Sequence, residues 1–570
     1  MGTSAEQGLE VHFFKRLGRL MSVWRFAVSW LLLLVLVAVG TILQIRGLGQ
    51  HYQTLQPTSG GTYTEGIIGS FTSANPLYAT SAADSSVSRL VFSGLMRYDQ
   101  ENKLIPDLAE TIAVDPSSKV YTVKLRDGLK WHDGKPLTAK DVAFTYGVIK
   151  NPDARSPLFN TWKDIKVTEK DAKTLVFELP NTLSTFPENL TNGIVPIHVL
   201  GVIDPAQLRT TRFNTVAPVG SGPFKWERLE VTGTTQETRQ EVIGLLPSES
   251  FYRKPPKLGR FIIRTFREEQ QMASAYKAGE LTSMVGLASI PDDIREVSDF
   301  VEYSVPLTGV VMVFFKTTVP PLDDVRVRRA LVQSVDTSEA ITTLGYPVRL
   351  VRGPLLDSHI GYSQKFKQLS FNTATAAANL DAAGWKMDSN GIRKKGPQEL
   401  TFTLYAQSTS DYSAISGYVQ RAWKGLGVKA EVLLQNDADI QGVVSRHDYA
   451  ALLYGISIGT DPDVFAYWHS SQASPSSPAR LNLSEYKSKV ADLSLEAGRT
   501  RLDPTVRAAK YVPFLKAWRQ DAPALALYQP TFLYVTRGKV FNFEPSSLNG
   551  ITNRYGNVEN WMIRQERVTK

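Results

Sequence analysis

The chain has 570 residues, 42% of them hydrophobic, with 10 Trp, 22 Tyr, 25 Phe and a formal net charge of +9. That length is too great for a single core and that aromatic content too high for a disordered polymer, so two or three folded lobes are expected. The positive charge lies in short patches such as Arg393-Lys394-Lys395 with no arginine-rich arm, which points to no nucleic-acid partner, and the absence of cysteine excludes disulfides, thiolate metal sites, cysteine nucleophiles and a cysteine-linked lipid.

The first element is an uncharged run over residues 26–45, FAVSWLLLLVLVAVGTILQI. At ~1.5 Å per residue it spans a hydrocarbon core of ~30 Å. Lys15, Arg16, Arg19 and Arg25 precede it, against Arg46 close on the other side. The positive-inside rule therefore places residues 1–25 in the cytoplasm and everything after Arg46 outside. A cleaved signal peptide is the competing reading, with Ala38-Val39-Gly40 as a small-residue cleavage site, but the run exceeds the apolar core of ~7–15 residues usual for one. An uncleaved transmembrane anchor is expected, followed by a linker over residues 46–58.

Residues 94–146 set turn, strand and helix in a fixed order. Residues 119–125 alternate as a half-buried strand does, Asp127-Gly128 and Asp133-Gly134 are turn dipeptides, and Thr138 stands as a cap before a helix opened by Ala139. Residues 173–179 (KTLVFEL) form a second alternating strand able to pair with residues 121–125. Residues 398–406 and 428–434 flank a helical stretch at 413–426, the order of a parallel βαβ unit.

Motifs that suggest enzymology each fall short. Gly455-Ile456-Ser457-Ile458-Gly459 fits a G-x-S-x-G elbow, but it runs into a turn at Asp461-Pro462 where the elbow needs a helix, and His469 follows too closely to come from a separate loop. Residues 128–135 approach a phosphate loop but have one residue too many between the glycines and Pro136 where Ser or Thr is required. The histidines are scattered without metal-ligand spacing, and His132 is expected to make a structural hydrogen bond. No catalytic residue, metal or cofactor is expected.

The order of the 94–146 segment, ending in the WHDGKP loop, resembles the extracytoplasmic solute-binding proteins of peptide and nickel ABC importers. The resemblance extends through Asn75-Pro76-Leu77, Gly220-Ser221-Gly222-Pro223-Phe224, residues 320–331 (PPLDDVRVRRAL), Ala383-Gly384-Trp385, Gly427-Val428, Asp461-Pro462-Asp463 and Asp521-Ala522-Pro523-Ala524, covering roughly residues 59–560. It implies an α/β, two-lobed periplasmic-binding-protein-like fold with an extra inserted domain, of the family-5, cluster-C type, preceded by the one transmembrane helix. Domain I would combine residues 59–88, 190–305 and 525–570, domain II residues 89–189, and domain III residues 306–524.

The function implied is capture of peptides outside the cell membrane for delivery to ABC permease subunits, by a monomer that performs no covalent chemistry. A metal chelate or other non-peptide solute, and a sensor or scaffold without transport, are the alternatives. Ligand contacts are expected from Asn75, Tyr454, Ser457, Ile458, Asp461, Asp463 and Trp468. Here the chain departs from the family pattern. Dipeptide and oligopeptide binders carry, three positions before the D-P-D turn, an aspartate that meets the peptide's amino group, and Ile458 occupies that position. A buried ammonium left without a partner costs several kcal/mol. Residues 407–413 likewise lack the arginine that dipeptide binders offer to a ligand carboxylate.

Overall fold

The computed structural model describes residues 23–44, 53–233, 235, 238–287, 289–474, 477 and 480–569. The chain forms two compact units, residues 1–59 with 564–570 and residues 60–563. In the first, helix Val23–Gln44 is long and apolar enough to cross a membrane and none of it is buried. Strand Gln53–Thr58 pairs antiparallel with Arg564–Thr569 along its whole length. Of the expected tail, anchor and linker, residues 1–22, Ile45 and residues 46–52 lie outside the described residues.

The second unit rests on three main sheets. A seven-stranded sheet has Thr62–Ile68 near its centre, parallel to Arg260–Phe266 and Ser283–Val285, with Thr531–Arg537 and Phe300–Pro306 continuing antiparallel to its edge. A four-stranded antiparallel sheet joins Ala109–Val114, Val120–Leu125, Thr174–Glu178 and Lys166–Asp171. Tyr121, Val123 and Leu125 alternate inward, and Leu175 and Phe177 meet them from the neighbouring strand, as the period-2 pattern of residues 119–125 and 173–179 predicts. Helix Ala139–Ile149 starts where expected, with the Asp141 carboxylate accepting the Thr138 N–H at 2.9 Å.

The six-stranded sheet is built around Gly309–Phe315, every residue of which is buried. Val311, Val313 and Phe315 face one core while Val310, Met312 and Phe314 face another, so this strand is covered on both sides. Thr401–Gln407 and Lys429–Gln435 pair in parallel across helix Ser410–Gly425, which realises the expected βαβ unit. The helix begins three residues earlier than the pattern suggests because Thr409 caps it, its hydroxyl accepting the Tyr412 N–H at 3.3 Å.

Two local devices fix the frame. His132 is half-buried, with Nε2 donating to the Gly222 carbonyl (2.9 Å) and Nδ1 accepting the Gly220 N–H (3.3 Å), so the WHDG loop holds the G-S-G turn. Burial lowers its pKa to about 4 and keeps it neutral. Gly220 passes so close to the end of helix Ala82–Val91 that a Cβ would stand 1.9 Å from the Val91 carbonyl oxygen. In the first core, Glu65 and Arg554, both without exposure, pair at 2.6 Å, and the Tyr534 hydroxyl donates to the same carboxylate at 2.8 Å.

Candidate functional site

Among the described residues, two short crossings join the strands of the six-stranded sheet to those of the seven-stranded sheet. Leu307-Thr308 links Phe300–Pro306 to Gly309–Phe315, and Pro530 links Ala524–Gln529 to Thr531–Arg537. Strand Ala524–Gln529 belongs to the six-stranded sheet, so the chain returns to the seven-stranded one after Gln529 and not at residue 525. The crossings are tied side by side. Leu307 N–H donates to the Pro530 carbonyl (2.9 Å) and Gln529 Nε2 to the Leu307 carbonyl (2.7 Å). Two adjacent, near-minimal connections between two sheets are the construction of a hinge.

The candidate ligand turn is attached to this hinge. Strand Ala451–Ser457 lies antiparallel to Gly309–Phe315, with Ser457 opposite Gly309. The next two residues, Ile458 and Gly459, both donate their N–H groups to the Thr308 carbonyl, at 3.0 and 3.1 Å. On the other side of Thr308 its hydroxyl donates to Asn549 Oδ1 at 2.8 Å. The neutral His359, its pKa lowered by burial, donates Nε2–H to the Gly459 carbonyl at 2.9 Å. The start of the turn is therefore held by the Thr308 backbone carbonyl and the His359 ring.

The acids of the D-P-D turn are engaged. Asp461 receives a two-pronged interaction from Arg507 at 2.6 and 2.7 Å and also accepts the Asp463 N–H at 2.9 Å. Asp463 pairs with Arg499 at 3.1 Å and accepts the Phe465 N–H at 3.3 Å, capping helix Phe465–Trp468. Burial, opposed by Arg499, raises the Asp463 pKa. Both carboxylates thus organise the turn and its packing against helices Lys489–Arg499 and Pro504–Asp521.

The remaining expected contacts separate into two groups. Ser457 is exposed and its carbonyl accepts the Tyr467 hydroxyl, while Tyr454 is half-buried with its hydroxyl accepting Gln441 Nε2 at 3.1 Å. Ile458 is 6% exposed and packs in the core behind the turn. Trp468 is fully buried between Phe314 and Trp518. Asn75 is fully buried too, its amide donating to Asn214 and its oxygen accepting the Leu77 N–H, both at 3.0 Å. The side chains of Trp468 and Asn75 are inaccessible to a solute.

Sequence reasoning does not find the group that faces this turn from the opposite side. Glu188, on the short helix Phe186–Asn189, accepts a hydrogen bond from Thr460 Oγ1 at 3.3 Å. Burial, with Asp461 and Asp463 adding repulsion, pushes its pKa up to about 7. The Tyr98 phenol, 5% exposed, faces the same spot, and burial with the Glu188 charge raises its pKa. Nearby, Arg499 lines a cavity of about 550 Å³ with Leu183 and Phe465.

The profile of the family described as bacterial extracellular solute-binding proteins, family 5 Middle, matches residues 103–477. The chain belongs to this family. Among curated relatives, the oligopeptide-binding protein AppA of Bacillus subtilis is 26% identical over 83% of this chain and 87% of its own. Protein XP55 of Streptomyces lividans is 30% identical over 81% and 83%. Among solved structures, NikZ of Campylobacter jejuni in complex with Ni(L-His) superposes with a TM-score of 0.73 at 25% identity, covering 88% of this chain and 99% of NikZ. AppA of B. subtilis in complex with a nonapeptide gives 0.70 at 24%, covering 89% and 100%. The fold is thus the two-lobed periplasmic-binding-protein architecture, and the family places the protein among extracellular solute-binding proteins.

Proposed function

We propose that the protein captures peptides outside the cell and delivers them to an ABC permease, held at the membrane by helix Val23–Gln44 as an uncleaved single-pass anchor. The observation that carries this reading is the hinge at Leu307-Thr308 and Pro530 with the turn 458–463 hydrogen-bonded directly to it. Ligand-dependent rotation about such a joint is how a permease tells a loaded protein from an empty one. Peptide as the cargo is supported by the relatives described as peptide binders. The body acts as a monomer and carries out no covalent chemistry. We take the lobes as residues 59–88, 190–305 and 530–570 for the first, residues 89–189 for the second, and residues 306–529 for the third. Of the expected contact set, Ser457 is exposed and Tyr454 is half-buried without a charged partner among the described residues.

The test is mass spectrometry of small molecules released by denaturing the gently purified protein from its native host. A family of peptides is the expected result. A single non-peptide species overturns the cargo assignment while leaving solute capture in place.

A further inference from the structure

We propose that Glu188, together with Thr460 and Tyr98, receives the ammonium group of the ligand, in place of the aspartate that Ile458 replaces. This rests on the peptide reading above. The argument begins with elimination on the turn itself. Ile458 offers neither charge nor acceptor and is packed in the core. Asp461 is locked to Arg507, whose side chain is 5% exposed, and Asp463 to Arg499. Turning Asp461 toward a ligand strands the buried Arg507 guanidinium, and turning Asp463 breaks its pair with the half-buried Arg499.

Glu188 has the opposite character. Among the described residues no Lys, Arg or His lies within ion-pairing distance of its carboxylate, which accepts a hydrogen bond from Thr460 Oγ1 and has the Tyr98 hydroxyl beside it. It is half-buried, so a solute can reach it. The charged and titratable groups that face it are Asp461, Asp463 and Tyr98, with Arg507 and Arg499 behind the two aspartates and already spent on them. A carboxylate desolvated among like charges gains when a cation arrives.

The positions match an ammonium's needs. Thr460 is two residues beyond Ile458, so Glu188 reaches the same turn from the other side. Gly459 turns the chain beside this space, its φ of +71° being a left-handed conformation that favours glycine. The buried Tyr98 hydroxyl faces Glu188 and Thr460 yet has no hydrogen-bond partner of its own. An ammonium has three N–H donors. The Glu188 carboxylate, the Thr460 hydroxyl and the Tyr98 hydroxyl supply three acceptors.

Binding at this place exchanges charge. Where Glu188 is protonated it gives its proton to solvent as R–NH3+ settles against the resulting carboxylate, so net charge balances and uptake at neutral pH releases about half a proton per site on average. Because Glu188 and Thr460 come from segments 272 residues apart, an ammonium held by both ties those two segments to each other.

The experiment uses the full chain in detergent and two probes: a random mixture of short synthetic peptides with free amino termini, and the same mixture N-acetylated. Equilibrium dialysis is read by mass spectrometry, and proton release by calorimetry in buffers of different ionisation enthalpy. The wild type is expected to prefer the free mixture by roughly tenfold to a hundredfold, the range of one charge-assisted hydrogen-bond set. Glu188→Gln removes both the preference and the proton release, and Glu188→Asp keeps part of each. Preference and proton release unchanged in Glu188→Gln overturn the proposal. Equal binding of both mixtures by the wild type also overturns it while the peptide reading stands. If neither mixture binds, the peptide reading falls and the amine anchor with it.

Discussion

Replacing Arg507 by Met tests whether the ligand turn is held by its ion pair. The guanidinium makes two charge-assisted hydrogen bonds to Asp461, at 2.6 and 2.7 Å, and a third from Nε to the Gly498 carbonyl at 3.1 Å. Methionine fills much of the same volume but leaves Asp461 charged with its side chain only 16% exposed. Removing one partner of a buried pair costs about 3–5 kcal/mol, chiefly because the other charge is stranded. Asp461 keeps its bond from the Asp463 N–H and some contact with water. We therefore expect about 2–4 kcal/mol for Arg507→Met, from the same range lowered for this residual solvation. The second arm is Asp461→Asn in the Arg507→Met background, which removes the stranded charge and should recover at least about 1 kcal/mol. The assay is urea denaturation of the full chain in detergent, followed by tryptophan fluorescence. Trp468 and Trp518 sit in the core beside this turn and report on it. A loss below ~0.5 kcal/mol for Arg507→Met, a size typical of exposed substitutions, refutes the claim that the pair holds the turn. A double variant no better than the single one refutes stranded charge as the cause.

The Glu65–Arg554 pair is more deeply placed, with both side chains unexposed, so Arg554→Met should cost about 3–5 kcal/mol in the same assay. His132 gives a pH dependence whose sign follows from its lowered pKa. Its folded value of about 4 lies below the unfolded value near 6.5, so its contribution is complete above pH ~6.5 and is lost as pH falls toward 4. The loss amounts to up to about 3 kcal/mol at the acid end. Denaturation midpoints measured between these limits should fall in the wild type and fall less in His132→Asn.

The parts of the fold that were legible beforehand are those whose information is local. Residues 119–125 and 173–179 alternate because one face of their sheet meets the core, and that pattern survives in a window of a few residues. The start of helix Ser410–Gly425 was placed too late because its cap, Thr409, precedes the apolar periodicity that signals a helix. Strand Ala524–Gln529 is buried at every residue, and a run buried on both faces carries no period that says which sheet it joins. Its membership is decided by pairing with Gly309–Phe315, more than 200 residues earlier.

The candidate site divides along the same line. The D-P-D turn is readable in the sequence, since Asp461 and Asp463 accept N–H groups two residues on as turn aspartates do. What those acids can still do was not readable, because it depends on Arg507, 46 residues away, and on Arg499. From the sequence alone, Asp461 and Asp463 are candidates for the amine that Ile458 cannot meet. Once both are seen to be neutralised by buried or half-buried arginines, the demand passes to a carboxylate with no cation of its own. Glu188 meets that condition from a segment with no motif to mark it, and it stands against Thr460 only because the two sides of the cleft bring it there. On the amine-anchor proposal, the contact that Ile458 cannot make is supplied from the segment opposite the turn, where Glu188 meets Thr460.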